Sequence, residues 1–219
     1  MTSTRTRLIE DTLEVLTASG LPGISVRNIA GVAEVNQALI FYHFKSLEGL
    51  LETACRVSVE EAVAVHRDRF SAVKTVGDLL AVGREIHSAE SISGRVTVAA
   101  QVLAGARSSE VLARAGKHAL DAWIDEIRPT LARVLQGTPL SGIADVEGLS
   151  RAIAASFVGL ELYEGVDSVG ATAALDALEG MAILADVVTD LGPLARTALH
   201  RRLRSVHKSS LTSTNTREY

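Results

Sequence analysis

Helical periodicity is the feature that most limits what this chain can become. Apolar residues recur at three- and four-residue spacing through nearly its whole length, and nowhere do they alternate with period two for long. An all-α chain follows. The spacing predicts helices over about 4–19, 25–33, 36–44 and 46–70, and longer ones over 75–90, 92–106, 109–135, 146–165, 171–190 and 193–206. Ile9, Leu13 and Leu16 line one face of the first helix, which Gly20 and Pro22 stop. Ser25, Asn36 and Ser46 are suited to cap the next three, with Glu48 favouring the dipole of the last. Leu120, Trp123, Ile127, Leu131 and Val134 make a core stripe, and Pro129 should kink or end that helix near Arg128.

Composition narrows the function classes. Hydrophobic residues make up 47% of the 219 and charged residues 22%, the balance of a soluble globular protein rather than a disordered chain. The longest uncharged run, Val15–Val26, is broken by Gly20, Pro22 and Gly23, so no membrane span is expected. Glu10, Asp11 and Glu14 exclude a signal peptide at the start. The single cysteine, Cys55, fits a reducing, cytoplasmic setting. No phosphate loop or zinc-protease motif is present, the six histidines are scattered, and His87 with Glu90 at i, i+3 lacks further metal ligands. No catalytic residue, metal or cofactor is therefore expected.

The segment Ile24–Ser46 carries the functional signal. Val26, Ile29, Ala30 and Ala33 point one way from the first short helix; Ile40 and Phe44 point back from the second, and Val35 plugs the turn. This is the anatomy of a helix-turn-helix. Such a unit places the N-terminal residues of its second helix at base edges, here Asn36, Gln37, Ala38 and Leu39. Gln37 is suited to a paired hydrogen bond with adenine, and Ala38 or Leu39 to a thymine methyl. Tyr42, His43, Lys45 and Arg27 suit phosphates, and Thr4, Arg5 and Arg7 could add contacts from the N-terminal arm. The alternative is an all-helical protein in which Phe41–Phe44 is simply a packed aromatic cluster. Net charge is −4, and the first fifty residues are not basic, so DNA contacts would have to be local.

The helices over 146–165 and 171–190 carry apolar residues on more than one side. Leu149, Ile153, Phe157 and Leu160 are joined by Val158 and Tyr163; Leu175 and Leu178 are joined by Ile183, Leu184, Val187 and Val188. Either the pair meets its symmetry mate in a four-helix bundle, or it lies at the centre of a monomer. Arg196, Arg201, Arg202, Arg204 and Lys208 suit the solvated end of a last helix, and 207–219 reads as a disordered tail.

Val26–Leu51, above all Val35–Leu51, closely resembles the N-terminal domain of TetR-type repressors. Two departures stand out. Leu47 replaces a frequent lysine, so Lys45 would take over its phosphate contact, and Ala38-Leu39 replaces a small residue followed by threonine. The resemblance implies an N-terminal three-helix DNA-binding domain at 1–46 and a helical ligand-binding and dimerisation domain at 47–206. The expected function is a homodimeric repressor on double-stranded operator DNA, released by a small-molecule effector. The alternative is a helical small-molecule-binding protein that has lost its operator. The resemblance also implies dimerisation through the 146–190 hairpin, with Leu160, Tyr163, Leu175, Leu178, Leu184 and Val187 at the interface. Pocket candidates are His66, Phe70, His87, Gln101, Trp123 and Phe157, each also open to an ordinary core or surface place. The apolar body suits an uncharged or weakly polar organic ligand.

Overall fold

The computed structural model describes residues 3–141, 144–195, 197–199 and 201–202. Among them are nine long or well-bounded helices: α1 Thr4–Gly23, α2 Val26–Val32, α3 Ala38–Phe44, α4 Leu47–Ala72, α5 Val76–Ile92, α6 Arg95–Gly105, α7 Glu110–Leu135, α8 Val146–Glu164 and α9 Ser168–Thr189. The expected tail at 207–219 lies outside the described residues, as do Arg196 and Arg204. Among the described residues no helix is long and apolar enough to cross a membrane.

Local side chains start most of these helices where the sequence places them. Ser3 accepts from the Thr6 amide, Ser25 from Asn28 at 3.1 Å, Ser46 from Gly49 at 3.0 Å and Asp145 from Gly148 at 3.1 Å. Three boundaries differ. Gly20, at φ +67°, kinks α1 rather than ending it, and one further turn runs through Pro22 to Gly23. Asn36 caps α3 as expected, its Oδ1 accepting from Ala38 at 2.9 Å, but the first turn is tight: Leu39 and Ile40 donate three residues back. The last of the three is α9, which starts at Ser168 because Asp167 accepts from the Gly170 amide at 2.9 Å.

Pro129 does not end α7, which continues to Leu135. Proline removes one backbone donor, but the turns around it are held by burial of Ile127, Thr130, Leu131 and Leu135. The buried stripe of α7 is Ile124, Ile127, Leu131 and Leu135, whereas Leu120, Trp123 and Val134 are only half-buried. The face is rotated slightly from the expected one, because i+3 and i+4 spacings both satisfy the sequence pattern.

The chain packs as two compact units whose boundaries fall inside α4, α5 and α7: Met1–Asp68 with Arg84–Glu126, and Arg69–Gly83 with Ile127–Tyr219. The first holds two cores. Leu8, Ile9, Val15, Ile29, Ala30, Ala33, Ile40 and Phe44 join Leu50 and Ala54 of α4. On the neighbouring face of α4, Leu51 and Cys55 join Leu16, Val98, Val102, Leu112 and Ala115. The α4 helix thus serves both cores. In the second unit the Arg133 guanidinium donates to the Phe70 carbonyl at 2.7 Å, and the Phe157 ring lies where a side chain on Gly83 would go.

Candidate nucleic-acid interface

The helix-turn-helix is built as the sequence demands. Ile29 and Ala30 of α2, its C-cap Ala33, and Ile40 and Phe44 of α3 are buried, with Val26 and Val35 packed against them. Asn28 ties α2 to the end of α1, its Nδ2 donating to the Gly23 carbonyl at 2.9 Å. Glu34 makes the turn in the left-handed region, at φ +50°. Lys45, at φ +68°, makes the second corner, between α3 and α4. Gly49 is needed just beyond it, since a Cβ there would overlap the Phe44 carbonyl oxygen.

Burial of Ile40 and Phe44 turns the opposite side of α3 outward. Asn36, Gln37, Ala38, Tyr42 and Lys45 are exposed, Tyr42 by 80%, while Leu39 and His43 are half-buried. Phe41, half exposed and one turn beyond Gln37, joins that outward face. In the sequence Phe41 figures only in the aromatic run Phe41–Phe44; its i+4 spacing from Gln37 is the signal that sets it on this face. Arg27 is exposed on α2. Arg5 lies in the first turn of α1, not on a free arm, with its guanidinium 5.3 Å from the Phe44 ring centre. Leu47 is half-buried and packs against the head core.

The six pocket candidates are divided between the two compact units. His66, His87, Gln101 and Trp123 belong to the first unit, Phe70 and Phe157 to the second. Gln101 has a local duty: its Oε1 accepts from the Leu21 amide at 3.0 Å, capping the kink of α1. His66 is buried, with its ring centre 6.3 Å from that of Trp123 and its Nε2 2.9 Å from Glu90 Oε1. Glu90 is also held by Arg95. Glu90 thus has partners on α4 and α6.

Along α8 and α9 the apolar excess faces outward. Tyr163, Leu178, Leu184 and Val187 are exposed, as are Leu149, Leu162, Met181 and Ile183, while Leu160 and Leu175 are half-buried.

Comparison with known proteins bears on this geometry. Residues 8–54 match the model of the bacterial regulatory proteins of the tetR family. None of the curated proteins matches the chain by sequence. Among solved structures, a TetR-family transcriptional regulator from Cytophaga hutchinsonii superposes with a TM-score of 0.69 at 17% identity, covering 84% of this chain and 95% of its own. A transcriptional regulator from Rhodococcus sp. Rha1 gives 0.65 at 24% identity, covering 87% and 100%. A protein from Saccharomonospora viridis described as a transcriptional regulator, solved in complex with choline, gives 0.63 at 20% identity, covering 81% and 92%.

Proposed function

We propose that the chain, by its head and its helical fold, is a TetR-family transcriptional regulator, and that it acts as a homodimeric repressor released from operator DNA by a small molecule. The observation that carries this reading is the outward face of α3. Asn36, Gln37 and Ala38 stand exposed at the N-terminal end of a helix whose other side is locked into the head core. A helix so presented enters the major groove end-on. Gln37 reads adenine, Ala38 and the edge of Leu39 meet a thymine methyl, and Arg27, Tyr42, His43 and Lys45 hold phosphates.

The head spans residues 1–46, and residues 47–206 respond to the effector and dimerise. A pair of recognition helices has to stand about 34–36 Å apart to enter successive major grooves. The exposed apolar surface of α8 and α9 supports the dimer that sets this spacing, since such a surface is costly in water. The α4 helix supports the coupling, because it contributes to the head core on one face and to the second core on another. An effector acts by preferring one spacing over the other. The choline in the Saccharomonospora viridis structure supports a small organic effector here. The protein works in the cytoplasm, without enzymatic activity.

A mobility-shift titration against fragments flanking its own gene, at two salt concentrations, tests the reading. Operator binding is saturable, is one sequence among many, and weakens as salt rises. Binding without any fragment preference would leave the second reading, a small-molecule-binding protein without an operator. The near balance of charge in the head and the inward Leu47 are the observations in its favour.

A further inference from the structure

Charge is sharply divided along the second unit. Between Arg151 and Arg196 the chain carries seven carboxylates and no basic side chain; from Leu191 to Arg217 it carries six lysines and arginines and no acid. Along α9 and its C-cap, Asp176, Glu179, Asp186 and Asp190 follow at spacings of three, seven and four, which set them on one side of the helix. Asp186 is turned to the start of α5, while Asp176, Glu179 and Asp190 are exposed. Ile183, 59% exposed, completes the row, and Leu184 and Val187 stand outward beside it. The α9 helix thus presents an apolar strip edged with negative charge.

The chain beyond α9 has the complementary character. Arg201, Arg204 and Lys208 recur at three and four residues, the period of the carboxylates, with Leu194, Leu199, Leu203 and Val206 interleaved. The described residues from Gly192 to Arg202 are exposed except Leu199, which is half-buried, and Leu194 is exposed by 89%. One chain by itself leaves these residues uncovered. A nucleic acid would use the cations and leave the apolar side chains idle, whereas the edge of α9 answers both. We propose that the basic segment 196–208 of one copy docks along the carboxylate row of α9 of the second copy, its arginines against Asp176, Glu179 and Asp190. The inference rests on the homodimer proposed above and adds to it a contact made twice about the two-fold axis, by a segment outside the α8–α9 hairpin. Pairing is then selective for a chain that carries both charge runs.

Two full-length variants test the docking. Arg201→Glu, Arg202→Glu and Arg204→Glu together reverse the segment; Asp176→Lys and Glu179→Lys together reverse the row. Each variant is expected to dimerise about tenfold more weakly than wild type at low salt, by sedimentation equilibrium, with helix content unchanged. Rising salt weakens the wild-type dimer and strengthens the variants, since it screens attraction and repulsion alike. Mixed in equal amounts, the two variants form the heterodimer in preference to either homodimer, because each segment then meets a row of opposite sign; native mass spectrometry counts the species. Carbodiimide cross-linking of wild type mixed from light- and heavy-nitrogen protein needs no variant, and Lys208 is expected to join an α9 carboxylate between isotopes. A statistical mixture of the variants, cross-links confined to one isotope, or a dimer that neither reversal weakens each overturns the docking. A reversed segment that weakens only binding to random DNA assigns the segment to phosphates and overturns it too. A monomeric wild type removes the homodimer reading and this inference together; a wild-type dimer whose variants mix statistically removes this inference alone.

Discussion

Gln37 and Lys45 stand at opposite ends of α3, both exposed, and the proposed reading gives them different work. Gln37→Ala is expected to cost about 1–3 kcal/mol at the preferred operator and little on random DNA. Equal loss on both, in parallel mobility shifts, removes the base-reading role. Lys45→Ala should weaken binding to every sequence and flatten the dependence on salt; an unchanged slope excludes a phosphate contact. Cys55 offers a contrast, because its place is in the core. Burial pushes its thiol up to about 11, so little thiolate exists at neutral pH. A disulfide reagent such as dithionitrobenzoate should leave the folded chain unmodified and react fully once it is denatured. Rapid reaction of the native protein would show that α4 opens far more readily than its packing implies.

Among the elements, α5 has a start in which each amide of the first turn is satisfied. Thr75 Oγ1 accepts from the Asp78 amide at 3.0 Å, and Asp78 Oδ2 accepts from Thr75 at 3.0 Å, a reciprocal capping pair. The remaining free amides, of Val76 and Gly77, donate to the Asp186 carboxylate on α9 at 2.8 and 3.0 Å. A Cβ on Gly77 would stand 2.7 Å from that carboxylate, which explains glycine there. Asp186→Ala should cost about 1 kcal/mol, the worth of a lost cap, read from denaturant unfolding; a change near zero would mean that water replaces the carboxylate. The other end of α5 carries the buried ion pair. Since Glu90 is held below its usual value of 4.5, its pairing contributes stability above that pH, and the contribution is lost as pH falls through the lowered value. The stability gap between wild type and Glu90→Gln should therefore shrink on acidification. A gap independent of pH would show that the pairing is not ionic.

For the whole molecule the proposed reading turns on pairing with a second copy. Leu184, 66% exposed on α9, lies at the centre of the proposed interface. Leu184→Glu should leave helix content unchanged, halve the mass seen by light scattering, and weaken operator binding far more than any change in the head's own surface would. A variant still at twice the monomer mass would sink that interface. In that reading, because the head is nearly neutral, tight operator binding depends on two heads held at a fixed spacing rather than on bulk charge.

How much of this was legible in advance depends on the range of the forces involved. Helix starts at Ser25 and Ser46, the cap at Asn36 and the opposed apolar faces of α2 and α3 are decided within four residues, and residue order alone determines them. The resemblance of Val35–Leu51 to one family is of the same local kind, and it made the head readable before any coordinates. Partner choice across the fold is different. Nothing near Gln101 in sequence marks it as the cap of the α1 kink, and nothing near Glu90 marks His66, 24 residues away, as its partner. Those pairings depend on which helix faces meet, and a shift of one residue in a stripe, as from Trp123 to Ile124 on α7, redirects them. The sequence by itself therefore determined most of the helices and the outward face of α3. Only tertiary packing decided which buried polar groups found each other, and left one nitrogen of His66 without a partner.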